Sequence, residues 1–219
     1  RVHPDDRSKF DAVLARAFAG ESPSVEIEVR LHRDDDEFLP VLVRGTISRD
    51  ATGEATHFAG SILDLTERKL HEAHIHRLAF YDPLTDLPNR RLLIDRLQHS
   101  LRARTRTGQS TALLMLDLDR FKTLNDTHGH AAGDDLLRLV GRRLSEVVRP
   151  YDTVARLSGD EFVVLLENLG PEADVATASA ELVAAKVLEA LNHPYPLEVG
   201  VVHYSASIGL AMATEPELT

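Results

Sequence analysis

Val154-Ala155-Arg156-Leu157-Ser158-Gly159-Asp160-Glu161-Phe162-Val163-Val164-Leu165-Leu166 places two apolar β-type runs on either side of a glycine turn that carries two adjacent carboxylates. The pattern predicts a hairpin, Val154 to Leu157 and Phe162 to Leu166, folded around Gly159. Upstream, Leu113 to Leu118 is a continuous apolar run that ends in Asp117-Leu118-Asp119. Such a run reads as a strand buried on both faces. Carboxylates converging from separate strands would suit a divalent cation and the phosphates of a nucleotide.

Helical spacing fills the space around these strands. Leu93, Leu97 and Leu101 share one face of a helix, and Leu136, Leu137, Val140, Leu144 and Val147 stand in helical register after Gly133. A third helix is expected over residues 172–191 and a last strand from Val202 to Leu210. The resulting order, β-α-β-β-α-β, predicts an α+β fold of the ferredoxin-like kind with helices packed on one face.

The first part of the chain reads differently. Phe10, Val13, Leu14 and Phe18 mark a helix within residues 1–20, and Val25, Ile27 and Val29 alternate with charged residues as a half-solvated strand does. The acidic turn Asp34 to Glu37, read as solvated, leads to a strand at Leu39 to Val43, and Asp50 to Gly53 precedes another through Phe58 to Leu63. This α+β piece is too small to stand comfortably alone. Residues 66–80 predict a polar connecting helix whose Leu70, Ala73, Ile75 and Leu78 form a narrow seam for a partner helix. The expected division is 1–65, 66–80 and 81–219.

Composition narrows the function. A net charge of −10 argues against binding a nucleic-acid backbone, which needs clustered Lys and Arg. The absence of cysteine removes disulfides, a thiol nucleophile and Cys-ligated metals, and suits a reducing, cytoplasmic setting. No apolar stretch is long enough to span a membrane, so no membrane contact is expected. The chain opens on Arg1 rather than Met and is expected to be a fragment of something longer.

Asp117 and Asp119, two apart at a strand end, leave the sheet on the same face. Mutual repulsion there would be relieved by a hard cation, which Mg²⁺ chemistry satisfies with one or two carboxylates plus phosphate oxygens. Asp160 and Glu161 can add ligands if Gly159 gives the turn its freedom, and Lys122 is placed for a phosphate. Taken singly, these features read as a strand ending in water and an ordinary turn; their joint occurrence favours the metal site. His71, His74 and His76 read as solvated helix positions, and His128 and His130 as loop residues.

These residues resemble the GGDEF family of diguanylate cyclases over residues 81–212. The likeness runs through Asp82-Pro83-Leu84-Thr85-Asp86-Leu87-Pro88-Asn89-Arg90, Asp117 to Asp126, Gly129-His130 with Gly133-Asp134, Arg156 to Phe162, and Ser207-Ile208-Gly209. Residues 1–69, from His3-Pro4-Asp5-Asp6 to Asp64-Leu65-Thr66-Glu67-Arg68-Lys69, resemble the C-terminal part of a PAS domain. The resemblance implies condensation of two GTP to cyclic di-GMP and two pyrophosphates in a homodimer. It implies Mg²⁺ or Mn²⁺ held by Asp117, the Leu118 carbonyl and Asp160, with Glu161 beside them. Asn125 and Asp134 would contact the guanine, Phe121 and Gly159 would join the GTP site, Lys122 would meet phosphate, and Arg156 would stand near the α-phosphate. Arg149 and Asp152 match the family's inhibitory Arg-x-x-Asp site for cyclic di-GMP.

Two departures accompany the likeness. Ser158 stands where the family's signature has its first Gly, and the family's final helix, with its phosphate-contacting Lys and Arg, has no counterpart before Thr219. Residues Glu167-Asn168-Leu169 to His193-Pro194-Tyr195 resemble members that continue into an EAL phosphodiesterase domain. The alternative function is therefore a non-catalytic module that binds GTP or cyclic di-GMP and regulates such a domain. A third reading is a sensor fragment that acts through dimerisation alone.

Overall fold

The computed structural model describes residues 1–33 and 37–213. Most of the acidic turn at Asp34 to Glu37, and residues 214–219, on which the expected lack of a final helix bears, lie outside the described residues. The chain divides into two units, Arg1–His76 and Arg77–Thr219.

The first unit opens with α1 (Pro4–Phe18), started by Pro4 at its first turn and by the His3 ring, which accepts the Asp5 amide hydrogen. Strands β1 (Ser24–His32), β2 (Phe38–Arg49) and β3 (Ala55–Asp64) follow as an antiparallel sheet in the order β1-β2-β3. Ala17 of α1 packs with Val25, Ile27, Val29, Val41 and Val43. Asp6 holds Arg30 by two side-chain bonds and a backbone bond, and the guanidinium keeps the Asp6 carboxyl far below the usual carboxylate range. Helix α2 (Thr66–Phe80) carries Leu70, Ile75 and Leu78 as exposed residues, and His71, His74 and His76 are exposed as well.

The second unit is organised by β4 (Thr111–Leu118), which follows α3 (Arg90–Thr107). Two helices come next, α4 (Phe121–His128) and α5 (His130–Val147), then the hairpin β5 (Thr153–Ser158) and β6 (Glu161–Leu166). Helix α6 (Ala173–Leu191), a small hairpin of β7 (Tyr195–Leu197) and β8 (Gly200–Val202), and β9 (Ala206–Ala213) complete it. The sheet is antiparallel throughout, in the order β5-β6-β4-β9, which is the ferredoxin-like arrangement. Its main core joins Leu114, Leu116 and Leu118 of β4 to Phe162 and Val164 of β6, Leu136, Leu137, Val140 and Leu144 of α5, and Val187 and Leu191 of α6. Helix α3 covers the opposite face through Leu93 and Leu97, against Ala155, Val163 and Leu165, so helices lie on both faces of the sheet rather than on one as expected.

Two further expectations are corrected. Strand β4 is covered on both faces only in its first half, since Met115 is 56% exposed and Asp117 is also exposed. An apolar run alone cannot reveal that α3 stops short of this end of the sheet. The last strand does not begin at Val202: β8 ends there, residues 203–205 are irregular, and β9 starts at Ala206. The interruption falls where the Ser205 carbonyl accepts the Asp119 amide hydrogen at 2.9 Å.

Arg143 closes the end of α6. Its guanidinium donates to the carbonyls of Ala190, His193 and Pro194 at 2.7–3.0 Å and lies 3.9 Å from the centre of the buried Tyr195 ring. A lysine cannot reproduce this planar fork. Arg143→Lys is expected to lower unfolding free energy by about 1–3 kcal/mol in urea titrations, the scale of hydrogen bonds from a charged donor.

Candidate functional site

Register, rather than proximity in sequence, brings the carboxylates together. Asp117 faces Glu161 across the β4–β6 ladder and Ser207 across the β4–β9 ladder. Gly159 takes φ +50° in the turn between β5 and β6, a region glycine adopts without steric cost, and Asp160 follows it. Burial first, then the negative charges of Asp160, Glu161 and Asp119, push the Asp117 carboxyl above its ordinary value. Like charges held together in this way are the electrostatic condition that a cation relieves. Among the described residues no three His, Asp or Glu side chains stand as a ready cage; the expected set is two carboxylates and a backbone carbonyl, and its oxygen chemistry fits a hard cation.

Asp119 behaves differently from its neighbour. Its carboxylate accepts the Ser205 hydroxyl at 2.5 Å and the Ser207 hydroxyl at 2.8 Å, and these bonds hold its carboxyl below the ordinary value. Both of its oxygens are thus engaged by residues at the start of β9, and Asp117 alone of the pair faces the other acids. A cleft of about 710 Å³ opens in front of them, lined by Asp117, Asp119, Arg120, Thr123, His203 and Tyr204.

Helix α4 supplies the nucleotide candidates. Lys122 is exposed on its first turn, whereas the Phe121 side chain is only 9% exposed and belongs to the core. With its ring in the core, Phe121 can offer a ligand its backbone. Asn125 packs against the start of α5, and its buried Oδ1 has no hydrogen-bond partner among the described residues. A Cβ at Gly133 would stand 2.0 Å from that oxygen, so a larger residue there would displace the Asn125 amide. Asp134, one residue further along α5, is half-buried.

Arg156 is engaged by groups of the protein itself. Its Nε donates to the Gly159 carbonyl at 2.9 Å and its Nη1 to Asp82 Oδ1 at 2.8 Å, with the two side chains 11% and 18% exposed. It therefore ties the signature turn to the Asp82–Thr85 turn. Ser158 donates to Glu161 Oε2 at 3.0 Å across that same turn, where the β5–β6 register shifts between Arg156 and Ser158. Arg149 donates to the Tyr151 hydroxyl, while Asp152 accepts the amide hydrogens of Arg149 and Glu167. Burial nevertheless pushes the Asp152 carboxyl up. A cleft of about 250 Å³ that includes Arg96, Arg149 and Asp152 lies beside them. The sequence had offered Asp82 and Ser207 only as parts of motifs and Ser205 only as a position in the expected last strand, with no role attached to any of them.

Residues 79–219 match the family described as diguanylate cyclase, GGDEF domain, and residues 1–62 match a PAS fold. The chain belongs to the GGDEF family. It is 37% identical to an uncharacterized protein, y4lL, of Sinorhizobium fredii over 99% of this chain and 26% of that protein. It is 46% identical to MucR of Pseudomonas aeruginosa, named a bifunctional diguanylate cyclase and cyclic di-GMP phosphodiesterase, over 62% of this chain and 19% of MucR. The coiled coil and GGDEF domain of DgcB from Caulobacter crescentus, solved in complex with c-di-GMP, superposes with a TM-score of 0.59 at 26% identity, covering 68% of this chain and 78% of that one. This GGDEF chain thus spans about a quarter or less of these curated relatives. Among the described residues no helix is long and apolar enough to cross a membrane.

The Asp82–Arg156 pair yields a prediction with a definite sign. Burial alone would raise the Asp82 carboxyl, but bonds from Thr85 and Arg156 outweigh it and hold it below its ordinary value. A carboxyl lowered by folding adds stability above its unfolded-state pKa and loses it as pH falls through the folded-state value. Asp82→Ala is expected to cost about 2 kcal/mol in urea unfolding at neutral pH, and its deficit against the parent should shrink under acid.

Proposed function

We propose that this chain is the PAS-coupled catalytic part of a diguanylate cyclase, joining two GTP molecules into cyclic di-GMP with release of two pyrophosphates. The observation that carries the reading is the crowding of Asp117 by Asp160 and Glu161 at the ends of paired strands. The names of MucR and DgcB, set beside the family match, support the same chemistry. The division into a PAS part at 1–65, a signalling helix at 66–80 and the GGDEF domain at 81–219 belongs to this proposal.

Asp117, Asp160 and the Leu118 carbonyl would hold Mg²⁺ or Mn²⁺, which would acidify the attacking 3′-hydroxyl and neutralise the leaving pyrophosphate. The unpartnered Asn125 oxygen would accept from the N–H edge of guanine, and the Asp134 carboxylate would accept beside it. Lys122 would balance phosphate charge from the first turn of α4. Glu161, oriented by the Ser158 hydroxyl, stands next to the reacting groups. Arg156 contributes by fixing the turn that carries Asp160. Each protomer binds one GTP, so the two 3′-hydroxyls meet their α-phosphates only when two sites face each other. A homodimer follows from that requirement, with the exposed Leu70, Ile75 and Leu78 of α2 as its seam.

Incubation with GTP and Mg²⁺, followed by mass spectrometry, should reveal cyclic di-GMP, and Asp160→Ala should abolish it. GTP binding without product would instead favour a regulator of an attached EAL phosphodiesterase domain, a reading that the bifunctional name of MucR motivates. Cyclic di-GMP is expected to bind at Arg149 and Asp152 and to restrain turnover. Arg149→Ala should weaken product binding in calorimetry at least tenfold, as loss of a charged, hydrogen-bonded contact does. Gly133→Ala, by driving a methyl group into Asn125, should raise the KM for GTP with a smaller change in kcat.

A further inference from the structure

We infer that Asp119 is a positioning residue that, latched to Ser205 and Ser207, aims the Leu118 carbonyl at the cation site; this rests on the metal and GTP reading above. The Asp119 N–H donates to the Ser205 carbonyl at 2.9 Å, on the β9 side of β4. A trans peptide is planar, with its C=O opposed to its N–H. The Leu118 carbonyl shares that peptide unit with the Asp119 N–H, so it is turned toward β6, the side on which Asp160 and Glu161 stand.

The carboxylate secures the same attachment twice more, through Ser205 Oγ at 2.5 Å and Ser207 Oγ at 2.8 Å. Restraint is needed here because Arg120, the next residue, adopts φ +59°, uncommon for a side-chain-bearing residue. Helix α4 then begins without a side-chain cap. The latch fixes the peptide just before this turn, and Asp117, at the end of the same strand, keeps its register against both Glu161 and Ser207. Asp119 acts through the backbone and touches neither substrate nor cation.

The test removes the hydroxyls while leaving every carboxylate in place. Mn²⁺ binding to the 219-residue chain is followed by electron paramagnetic resonance with a non-reactive GTP analogue present, and thermal unfolding is recorded alongside. The Ser205→Ala, Ser207→Ala double variant should bind Mn²⁺ about tenfold or more weakly, the usual effect of losing an outer partner of a metal ligand. Its unfolding midpoint should stay near that of the parent, and Ser205→Thr, which keeps a hydroxyl, should bind as the parent does. If the double variant does not fold, Ser207→Ala alone carries the comparison, with a smaller loss of affinity expected. Parent-like affinity in the serine variants, with affinity lost in Asp117→Ala, overturns the latch and leaves the metal reading standing. Parent-like affinity in Asp117→Ala overturns the metal reading and the latch together.

Discussion

The pairing of β4 with β6 on one side and β9 on the other is the constraint from which the second unit follows. It opposes Asp117 to Glu161 and to Ser207 in the same register. A slip of one residue would turn Leu114, Leu116 and Leu118 out of the core and Asp117 into it. The burial of these leucines against α5 and α6 therefore fixes the acidic cluster as a by-product. Stability and site geometry are set by the same hydrogen-bond ladder.

Within that frame, neighbouring acids have opposite fates. Asp119 is stabilised as a carboxylate by two hydroxyls, whereas Asp117 is destabilised by burial and by the charges around it. Two residues of one strand end thus line the same cleft with opposite electrostatic character. Arg156 shows the same economy, since its guanidinium serves the turn that presents Asp160. The signature hairpin is held from below by Asp82 and across its tip by Ser158.

Much of this was legible in the sequence because it is local. The signature hairpin, helices α3, α5 and α6 and the succession of elements along the chain follow from short-range periodicity, and the acids from two motifs, whereas α4 and the β7–β8 hairpin were not foreseen. The partners of those acids were not legible. Arg156 meets Asp82 across 74 residues, and Ser205 meets Asp119 across 86, separations over which side-chain type says nothing about contact. The exposed half of β4 was hidden for a related reason: an apolar run carries no record of where the covering helix ends. The break before β9 was equally hidden, since residues 203–205 separate β8 from β9 with no Gly or Pro to announce it.

The buried Asn125 oxygen carries a last implication. A lone acceptor in a dry crevice attracts a donor weakly, because the donor must leave water to reach it. It penalises a mismatched occupant strongly, because both acceptors then stay unpaired. On the proposed GTP reading, a purine with a ring N–H at that edge would satisfy Asn125, while adenine would present a bare nitrogen lone pair there. Discrimination among nucleotides would then come chiefly from exclusion of the wrong base, and Gly133, by leaving room for the amide, would keep the filter open.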